Sequence, residues 1–373
     1  MADRPLLNLA FVVADTRLAG AERQVLHHLR CLDPKRYHPV VVCLNDPGEL
    51  AVKLQHTGTL VVSPSWPKGR GVAGSIAAFV RLVRLYKELK LDIVHVVSHE
   101  GTAPGVLAAR VAGVPVILAS WRRHAAVADA WTRHAAARAD RIVVPTAELA
   151  ATARDVLRVP VDRLRLVPPV IDPSELFGKD RAPGFDEPVF RVGTLARLVD
   201  AKGIDDLLAA AIRLRDAGRD IRWFVCGTSD DPVPFLRRAQ RAGIESIFTF
   251  LGERGDRGGL FMTWDCYVQP SREDGLPVAL IEAMAAGVPA VACRNPSIDA
   301  ALANSGARLV PPSDPAALAD AVAATLDDTM AERERRRGAS RRVASALGRL
   351  ETSVVALHDL YEEVVAEARA RSR

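Results

Sequence analysis

The sequence predicts an α/β protein built from two domains, each with a parallel sheet. Short apolar segments typical of buried strands alternate with segments of helical period along nearly the whole chain. The chain has 373 residues, and domains of about 150 residues are typical. Proline and glycine are frequent near the middle of the chain, as expected of a linker. We therefore predict a first domain at residues 1–172, a linker at 173–188, a second domain at 189–347 and a terminal helix at 348–373.

The composition narrows the class of protein. Apolar residues make up 49% of the chain and charged residues 25%, which is typical of a globular protein with a full core. No run of about 18 apolar residues occurs, so we expect no transmembrane helix. The N-terminal segment is more typical of a first strand than of a signal peptide. The net charge of +5 and the 5% aromatic content give little support to nucleic-acid binding.

The five cysteines are scattered along the chain without a C-x-x-C pair. An odd and unclustered set argues against a disulfide framework and against a zinc site, and it fits a reducing compartment. We therefore expect a cytoplasmic protein. A peripheral position on the inner face of a membrane stays open, because a net positive charge is compatible with anionic lipids.

The first domain begins with a strand at Leu6–Ala14, whose apolar run is typical of a strand buried on both faces. A loop of small residues follows and leads into a helix at Arg23–Leu32. Gly20 in this loop would let a ligand approach the backbone. The next strands are predicted at Val40–Leu44, Leu60–Val62, Ile93–Val97 and Pro115–Ala119.

Polar side chains follow two of these strands. His99 comes after the fourth strand, and Arg122, Arg123 and His124 come after the fifth. In open α/β sheets, ligands bind outside the carboxyl ends of the strands, so these residues are candidates for a binding site. For His124 two interpretations stay open, an active-site histidine or a surface histidine beside two arginines.

Three other patterns in this half of the chain have simpler explanations. Gly69–Gly74 matches G-x-G-x-x-G, but prolines separate it from the preceding strand, whereas a dinucleotide site needs the motif directly after a strand. His95 and His99 have H-x-x-x-H spacing, but they span a strand and its exit rather than a helix, so no metal site is predicted. The helix at Ser75–Lys90 is basic and amphipathic, typical of a solvated face or of a helix on anionic lipid.

The second domain begins with a strand at Val189–Thr194. The next loop carries Arg197 and Lys202, and two cations at a strand exit could clamp a diphosphate, Arg as a fork and Lys as a point charge. Loops that begin at Gly227 and Gly252 would line the same edge of the sheet. The remaining strands are predicted at Arg222–Gly227, Ile247–Leu251, Asp265–Pro270, Pro289–Cys293 and Ala307–Val310.

The segment Pro270–Pro289 combines a glycine turn with a short helix. Gly275 permits backbone conformations that other residues resist, and Pro277 suits the first turn of a helix. A helix N-terminus behind such a turn is a ready anion site. Asp274 and Glu282 lie eight residues apart, which corresponds to about 12 Å along a helix. They could therefore flank an elongated anionic ligand such as a nucleotide sugar.

This segment resembles the signature of glycosyltransferase family 4, in which two acidic residues precede AMA-x-G-x-P. Weaker matches extend over residues 6–365. They include the segments Leu18–Arg23, Ala139–Thr146, Leu166–Asp172 and Ala196–Gly203. The chain departs from the family pattern where Asp274 replaces a glutamate and where Ala19, Val170 and Ala196 replace glycines.

The resemblance implies the GT-B fold: two doubly wound Rossmann-like domains that face each other across a cleft, with a C-terminal helix that crosses back to the first domain. It implies that the second domain holds a nucleoside-diphosphate sugar and that the first domain holds the acceptor. The implied reaction is retaining transfer of the sugar to a glycan, a lipid-linked acceptor or a small molecule.

The resemblance also implies a role for each site residue. Arg197 and Lys202 would offset the charge of the leaving diphosphate. Asp274 would meet hydroxyls of the sugar and Glu282 would hold the ribose, with His124 as a further catalytic residue. The implied donor-binding set also contains Gly20, Gly227, Gly252, Glu253, Gly275 and Leu276, and the acceptor side contains His99, Arg122 and Arg123. With two cations and a helix N-terminus at the phosphates, we expect no cofactor and no required divalent metal.

Two alternatives stay open: a nucleotide-sugar epimerase on the same fold, and a sugar-nucleotide-binding protein without catalytic activity. Three departures from the family pattern motivate the second: Asp274 in place of glutamate, the lack of a Gly-Gly pair at Arg294–Ser297, and Pro169-Val170 in place of Asn-Gly. An epimerase would act without an acceptor. The partners that we expect are the nucleotide-sugar donor and a glycan or lipid-linked acceptor, with no nucleic acid. A peripheral membrane contact of the first domain stays open as an addition.

Overall fold

The computed structural model describes residues 6–14, 20–45, 51–52, 54, 58–65, 72–99, 101–124, 127–176, 189–227 and 231–371. Contacts divide the chain into two compact units, Met1–Val170 with Leu350–Arg373, and Ile171–Arg349. Each unit has one parallel sheet with helices on both faces, which confirms the predicted α/β fold class with two doubly wound domains. Three features predicted from the sequence fall at least partly outside the described residues, namely the loop with Leu18 and Ala19, the glycine motif with Gly69 and Gly71, and residues 177–188 of the linker.

Strands and helices alternate along the described chain. The strands are β1 (Leu7–Val13), β2 (Tyr37–Cys43), β3 (Leu60–Val62), β4 (Ile93–Val96), β5 (Val116–Ser120), β6 (Arg141–Val144), β7 (Leu164–Leu166), β8 (Phe190–Leu195), β9 (Ile221–Cys226), β10 (Phe248–Gly252), β11 (Cys266–Gln269), β12 (Ala290–Cys293) and β13 (Arg308–Val310).

The helices in the same ranges are α1 (Gly20–Cys31), α2 (Val72–Glu88), α3 (Thr102–Ala112), α4 (Ala130–Ala136), α5 (Ala147–Leu157), α6 (Ile204–Asp216), α7 (Val233–Arg241), α8 (Arg257–Phe261), α9 (Val278–Ala285), α10 (Pro296–Leu302), α11 (Pro315–Leu326), α12 (Met330–Leu347) and α13 (Leu350–Arg371). None of these helices combines the length and the apolar character that a bilayer crossing requires.

The sheet of the first unit has the described strand order β3-β2-β1-β4-β5-β6-β7, and every neighbouring pair is parallel. β1 lies between β2 and β4, and six of its seven residues are buried, as expected of a central parallel strand. Leu82 of α2 and Val106 of α3 belong to the core on one face of this sheet. Leu26 of α1 and Leu360 of α13 belong to the core on the other face.

The C-terminal helix α13 belongs to the first unit, which confirms the predicted return of the chain. Nε and Nη2 of Arg36 donate to the two carboxylate oxygens of Glu362 at 2.5 and 2.9 Å. The buried hydroxyl of Tyr361 lies 2.8 Å from Nδ1 of His95 on β4. The helix is therefore held to the sheet by an ion pair and a buried polar contact as well as by its apolar face.

The sheet of the second unit has the described order β10-β9-β8-β11-β12-β13, again with parallel pairs. Leu207 of α6 and Leu318 of α11 pack on one face. Leu280 of α9 and Ile298 of α10 pack on the other. Because the strands are parallel, the loops that follow them meet along one edge of the sheet.

Candidate functional site

Two loops at the carboxyl edge of the second sheet are joined to each other. They follow β8 and β11, which are neighbours in the sheet. The carbonyl oxygen of Ala201, in the loop after β8, accepts hydrogen bonds from the backbone N–H groups of Arg272 at 2.9 Å and Glu273 at 3.1 Å. The cationic loop and the acidic segment, which the sequence predicts separately, therefore form one structure.

Gly203 lets these loops approach so closely. Its φ of +65° lies in the left-handed region, and a Cβ at this position would lie 1.9 Å from the carbonyl oxygen of Pro270. Arg272 adds a second connection, because its Nε and Nη2 donate to the two carboxylate oxygens of Asp206 at 2.8 and 2.7 Å. Asp206 is buried in the first turn of α6, where the helix dipole also favours a carboxylate.

Lys202 and Asp274 meet at this junction. Nζ of Lys202 lies 2.5 Å from Oδ2 of Asp274, and the two side chains are 21% and 15% exposed. Oδ1 of Asp274 accepts a hydrogen bond from the N–H group of Gly275 at 3.0 Å. The carbonyl oxygen of Gly275 in turn accepts from Nδ2 of Asn295 at 2.9 Å. The acidic turn is thus held in place from both sides, while its charged groups keep contact with solvent.

Helix α9 begins directly after this turn. Pro277 precedes it with extended backbone, and the described chain places no side-chain cap on its first N–H groups. Such N–H groups and the helix dipole favour an anion. Arg197 is exposed in the loop after β8, at the same edge of the sheet. This edge of the sheet therefore carries the Lys202–Asp274 pair and the N-terminus of α9, with Arg197 in the loop that also carries Lys202.

Glu282 lies in the second turn of α9 and is buried, with 2% of its side chain exposed. Its Oε2 accepts a hydrogen bond from Nη1 of Arg257 at 2.7 Å, and the Arg257 side chain is 9% exposed. Burial opposes the charged form of Arg257, but the carboxylate of Glu282 outweighs burial and raises the pKa of Arg257 above its usual value. The two groups form a buried ion pair.

The predicted glycines Gly227 and Gly252 join the loops after β9 and β10. The N–H group of Gly227 donates to the carbonyl oxygen of Gly252 at 2.8 Å. A Cβ on Gly227 would lie 1.8 Å from the carbonyl oxygen of Ala196, in the loop after β8. Glu253, which follows Gly252, is partly buried. The loops after three adjacent strands therefore converge beside the Lys202–Asp274 junction, as the sequence predicts for this edge.

The predicted residues of the first unit lie at the carboxyl edge of its own sheet. Gly20 is the first residue of α1. Nη2 of Arg123 donates to Nε2 of His99 at 2.7 Å, and the His99 ring packs edge-on against Trp121. Nδ1 of His124 lies 2.8 Å from Oγ1 of Thr152. The loops after β4 and β5 are thus brought together, as predicted, and His124 contacts Thr152 of α5.

Arg122 differs from its exposed neighbour Arg123. Desolvation by burial lowers the pKa of Arg122 to about 10, while the negative charge of Glu22 on α1 acts in the opposite direction. Within the described residues its Nε has no hydrogen-bond partner. A partly buried guanidinium with a donor to spare is suited to bind an anionic or hydroxyl-rich group.

Several polar residues of these sites were not predicted as site residues. Arg257 follows the loop after β10 without any motif that marks it. Arg272 lies inside the acidic segment Pro270–Pro289. A cation beside Glu273 in that segment was a signal for an ion pair near the site. On α1, the Gln24 amide forms two hydrogen bonds with the backbone of Val170, of 2.7 and 2.6 Å. Such long-range partners have no counterpart in local spacing.

Two family models match the chain. The model described as glycosyltransferase family 4 matches residues 18–175, and the model described as glycosyl transferases group 1 matches residues 189–328. Together they include every site residue predicted from the sequence. Each unit is therefore matched by a glycosyltransferase model of its own.

Curated relatives give the same answer. The chain is 28% identical over 222 residues to the lipopolysaccharide core biosynthesis mannosyltransferase LpsB of Rhizobium meliloti (strain 1021), covering 56% of this chain and 61% of LpsB. It is 31% identical over 231 residues to the D-inositol 3-phosphate glycosyltransferase of Nocardia farcinica (strain IFM 10152), covering 57% of this chain and 50% of that protein. The chain thus aligns with between half and about three fifths of the length of these two relatives.

Among solved structures, Anabaena HepE in complex with UDP and glucose superimposes with a TM-score of 0.80 at 15% identity, covering 96% of this chain and 100% of HepE. At this identity the likeness shows the fold alone. With a glycosyltransferase model on each unit and this fold over nearly the whole chain, the protein belongs to glycosyltransferase family 4 and is a glycosyltransferase with the GT-B fold.

Proposed function

We propose that this glycosyltransferase moves a sugar from a nucleoside-diphosphate sugar to an acceptor, with retention of configuration at the anomeric carbon. The observation that carries the proposal is the junction between the loops after β8 and β11. Ala201 ties the two loops together, Lys202 meets Asp274, and the N-terminus of α9 follows directly. A diphosphate needs cations and N–H groups, and a sugar needs a carboxylate for its hydroxyls; this junction offers both.

In this proposal, Arg197, Lys202 and the N–H groups at the start of α9 offset the charge that develops on the leaving diphosphate. Asp274 accepts hydrogen bonds from hydroxyls of the transferred sugar, and its bond from Gly275 holds the carboxylate for that contact. Two cations and a helix N-terminus neutralise the diphosphate, so no divalent metal is required. Glu282 accepts hydrogen bonds from the ribose.

The reaction proceeds on one face of the sugar. The acceptor oxygen forms its bond to the anomeric carbon on the face from which the diphosphate oxygen departs. A phosphate oxygen of the leaving diphosphate takes the proton of the acceptor hydroxyl, so no base from the protein is needed. In the first unit, we assign His99, Arg122, Arg123 and His124 to contacts with the acceptor. Nε of Arg122 supports this assignment, because it has no hydrogen-bond partner among the described residues.

The acceptor in this proposal is a glycan, a lipid-linked sugar or a small molecule. The relatives named above support these classes, since one is named for lipopolysaccharide core biosynthesis and another for an inositol phosphate. A peripheral membrane contact fits a lipid-linked acceptor. Helix α2 supports it, because Ile76 and Val80 are exposed on the same helix as the exposed cations Arg84 and Lys87.

The test begins with thermal unfolding in EDTA, with UDP-, GDP-, ADP- and TDP-sugars added in turn to the wild type and to Asp274→Ala. A sugar donor at a hundred times its Kd should add about 2.7 kcal/mol of stability. One nucleotide series should stabilise the wild type. Compared with the wild type, the variant should lose more of the stabilisation by the sugar nucleotide than of the stabilisation by the bare nucleoside diphosphate. The selected donor is then used with candidate acceptors, and the anomer of the product is read by NMR.

Each other outcome points elsewhere. No stabilisation by any sugar nucleotide would contradict the donor assignment and favour a binding protein of another kind. Conversion of the sugar without an acceptor would favour an epimerase. An inverted product would contradict the retaining mechanism, and a strict need for added metal ion would contradict the metal-independent clamp.

A further inference from the structure

The ion pair between Arg257 and Glu282 lies among buried apolar residues of α9 in the described second unit. Leu280, Ile281, Ala283 and Met284 of α9 are all fully buried around Glu282. Replacing a buried ion pair by apolar residues of similar volume is often neutral or stabilising. A buried ion pair is therefore a weak source of stability, which motivates a search for another role of this pair.

Arg257 stands at a junction between two parts of the predicted donor site. It is the first residue of α8, and the loop Gly252–Asp256 leads directly into it. Asp256 caps α8 through its Oδ1, which accepts from the N–H group of Gly259 at 3.0 Å. Gly252 at the other end of the loop accepts the hydrogen bond from Gly227. Both ends of this loop are thus fixed, and Arg257 connects it to the carboxylate of Glu282.

We propose that Arg257 is a positioning residue for recognition of the nucleotide: it holds the Glu282 carboxylate in the orientation that accepts ribose hydroxyls and couples it to the loop Gly252–Asp256. The inference rests on the proposed function, in which Glu282 binds the ribose. Arginine suits the task because its planar fork stays charged when buried, and one arm of the fork, Nη1, donates to Oε2 of Glu282 at 2.7 Å. Lysine would keep the charge but not the fork.

The experiment is isothermal titration of UDP and GDP, each compared with its 2′-deoxy and 3′-deoxy forms. Losing a hydrogen bond to a charged group should weaken binding of a deoxy form by roughly 10-fold to 100-fold in the wild type. In Arg257→Gln this ribose-to-deoxyribose ratio should fall toward one, while the affinity for the deoxy form itself changes little. Arg257→Lys should give an intermediate ratio. A loss of general stability alone would not move this ratio.

Arg308→Gln provides a matched control. Arg308 and Asp328 also form a largely buried pair in the second unit, at 2.8 Å with side chains 20% and 6% exposed, away from the predicted donor residues in sequence. This variant should lose stability and keep the ribose ratio of the wild type. If it lost the ratio as Arg257→Gln does, destabilisation would explain the effect and the inference would be wrong.

The outcomes separate the inference from the function on which it rests. A wild-type ratio near one would contradict the ribose role of Glu282, and the positioning role with it. A clear wild-type ratio that survives in Arg257→Gln would overturn the positioning role alone. If Arg257→Gln does not fold, Arg257→Lys decides the matter: a reduced ratio supports the inference and an unchanged ratio contradicts it.

Discussion

Nζ of Lys202 lies 2.5 Å from Oδ2 of Asp274, although the two residues are 72 positions apart in the chain. The contact exists because β8 and β11 are parallel neighbours and because Ala201 fixes the loop after β8 to the turn that carries Asp274. An ammonium group has three N–H donors. Lys202 can therefore keep its bond to Asp274 and still direct a donor toward a phosphate oxygen beside it.

Replacing Lys202 by Ala should lower kcat by about 10²–10³-fold, as loss of one group that stabilises transition-state charge typically does. The measurement is steady-state transfer at saturating sugar nucleotide, with the fold checked by circular dichroism. Lys202→Arg keeps the charge and should retain much more of the activity. Equal turnover of wild type and Lys202→Ala would remove Lys202 from the mechanism.

Gly203→Ala should destabilise the second unit and abolish transfer, because a Cβ would lie 1.9 Å from the carbonyl oxygen of Pro270. The loss of unfolding free energy should exceed the usual left-handed penalty for a residue with a side chain, which is about 1–2 kcal/mol. Gly218 is the control, since it also has a positive φ, of +74°, with nothing within 4 Å of the Cβ position. Gly218→Ala should cost only the conformational penalty. Urea unfolding of both variants tests the difference, and equal losses would mean that the close approach is unimportant.

Part of the fold and of the candidate site could be predicted from the sequence. Strands, their parallel order and the turn at Gly275 follow from local composition and from the rules for α/β folds. The adjacency of Lys202 and Asp274 could be anticipated as soon as both were placed after neighbouring strands. These features depend on backbone topology, and many separate segments of the chain indicate the same alternation of strands and helices.

The ion pairs of Arg272 with Asp206 and of Arg257 with Glu282 could not be predicted in this way. Each depends on how a long side chain passes between packed elements, and neither has a characteristic spacing. Burial of Glu282 was equally hidden, because a glutamate on a short helix is usually exposed. Side-chain partners across a core are fixed by packing of the whole domain, which one sequence does not report.

A double-mutant cycle should show that the Arg257–Glu282 pair does not exist for stability. Arg257→Met or Glu282→Leu alone should lower the free energy of unfolding by about 3–5 kcal/mol, because each leaves a buried charge without its partner. The double variant should recover most of that loss or exceed wild-type stability. Urea unfolding without nucleotide gives all four values. A double variant that is as unstable as the sum of the single variants would contradict the interpretation.

Removing two cations from α2 should weaken binding to anionic membranes. Each basic residue near such a surface contributes about 1 kcal/mol, so Arg84→Gln with Lys87→Gln should reduce binding by roughly 30-fold at two such contributions. Cosedimentation with phosphatidylcholine vesicles, with and without phosphatidylglycerol, measures the binding of each variant to anionic and to neutral membranes. Arg237→Gln with Arg241→Gln on α7 is the control, because it removes the same charge from the second unit. Equal losses in both pairs, or no preference of the wild type for anionic vesicles, would contradict the membrane contact.

Acidification should weaken the first unit through two buried histidines. Burial lowers the pKa of His95 to about 3 and that of His28 to about 3, whereas a histidine in an unfolded chain titrates near 6.5. Between these values the unfolded state binds more protons, so the free energy of unfolding falls as the pH falls, by up to about 1.4 kcal/mol per pH unit for each histidine. The contribution of the neutral histidines to stability is fully present above about pH 6.5 and is lost as the pH falls below it.

Urea unfolding from about pH 7.5 to about pH 5, above the carboxylate range, measures the slope. His95→Gln should reduce that slope by one histidine's share, with the exposed His134→Gln measured as the matched control variant. A slope that His95→Gln does not alter would mean that His95 is not kept neutral by its burial between Ser120 and Tyr361.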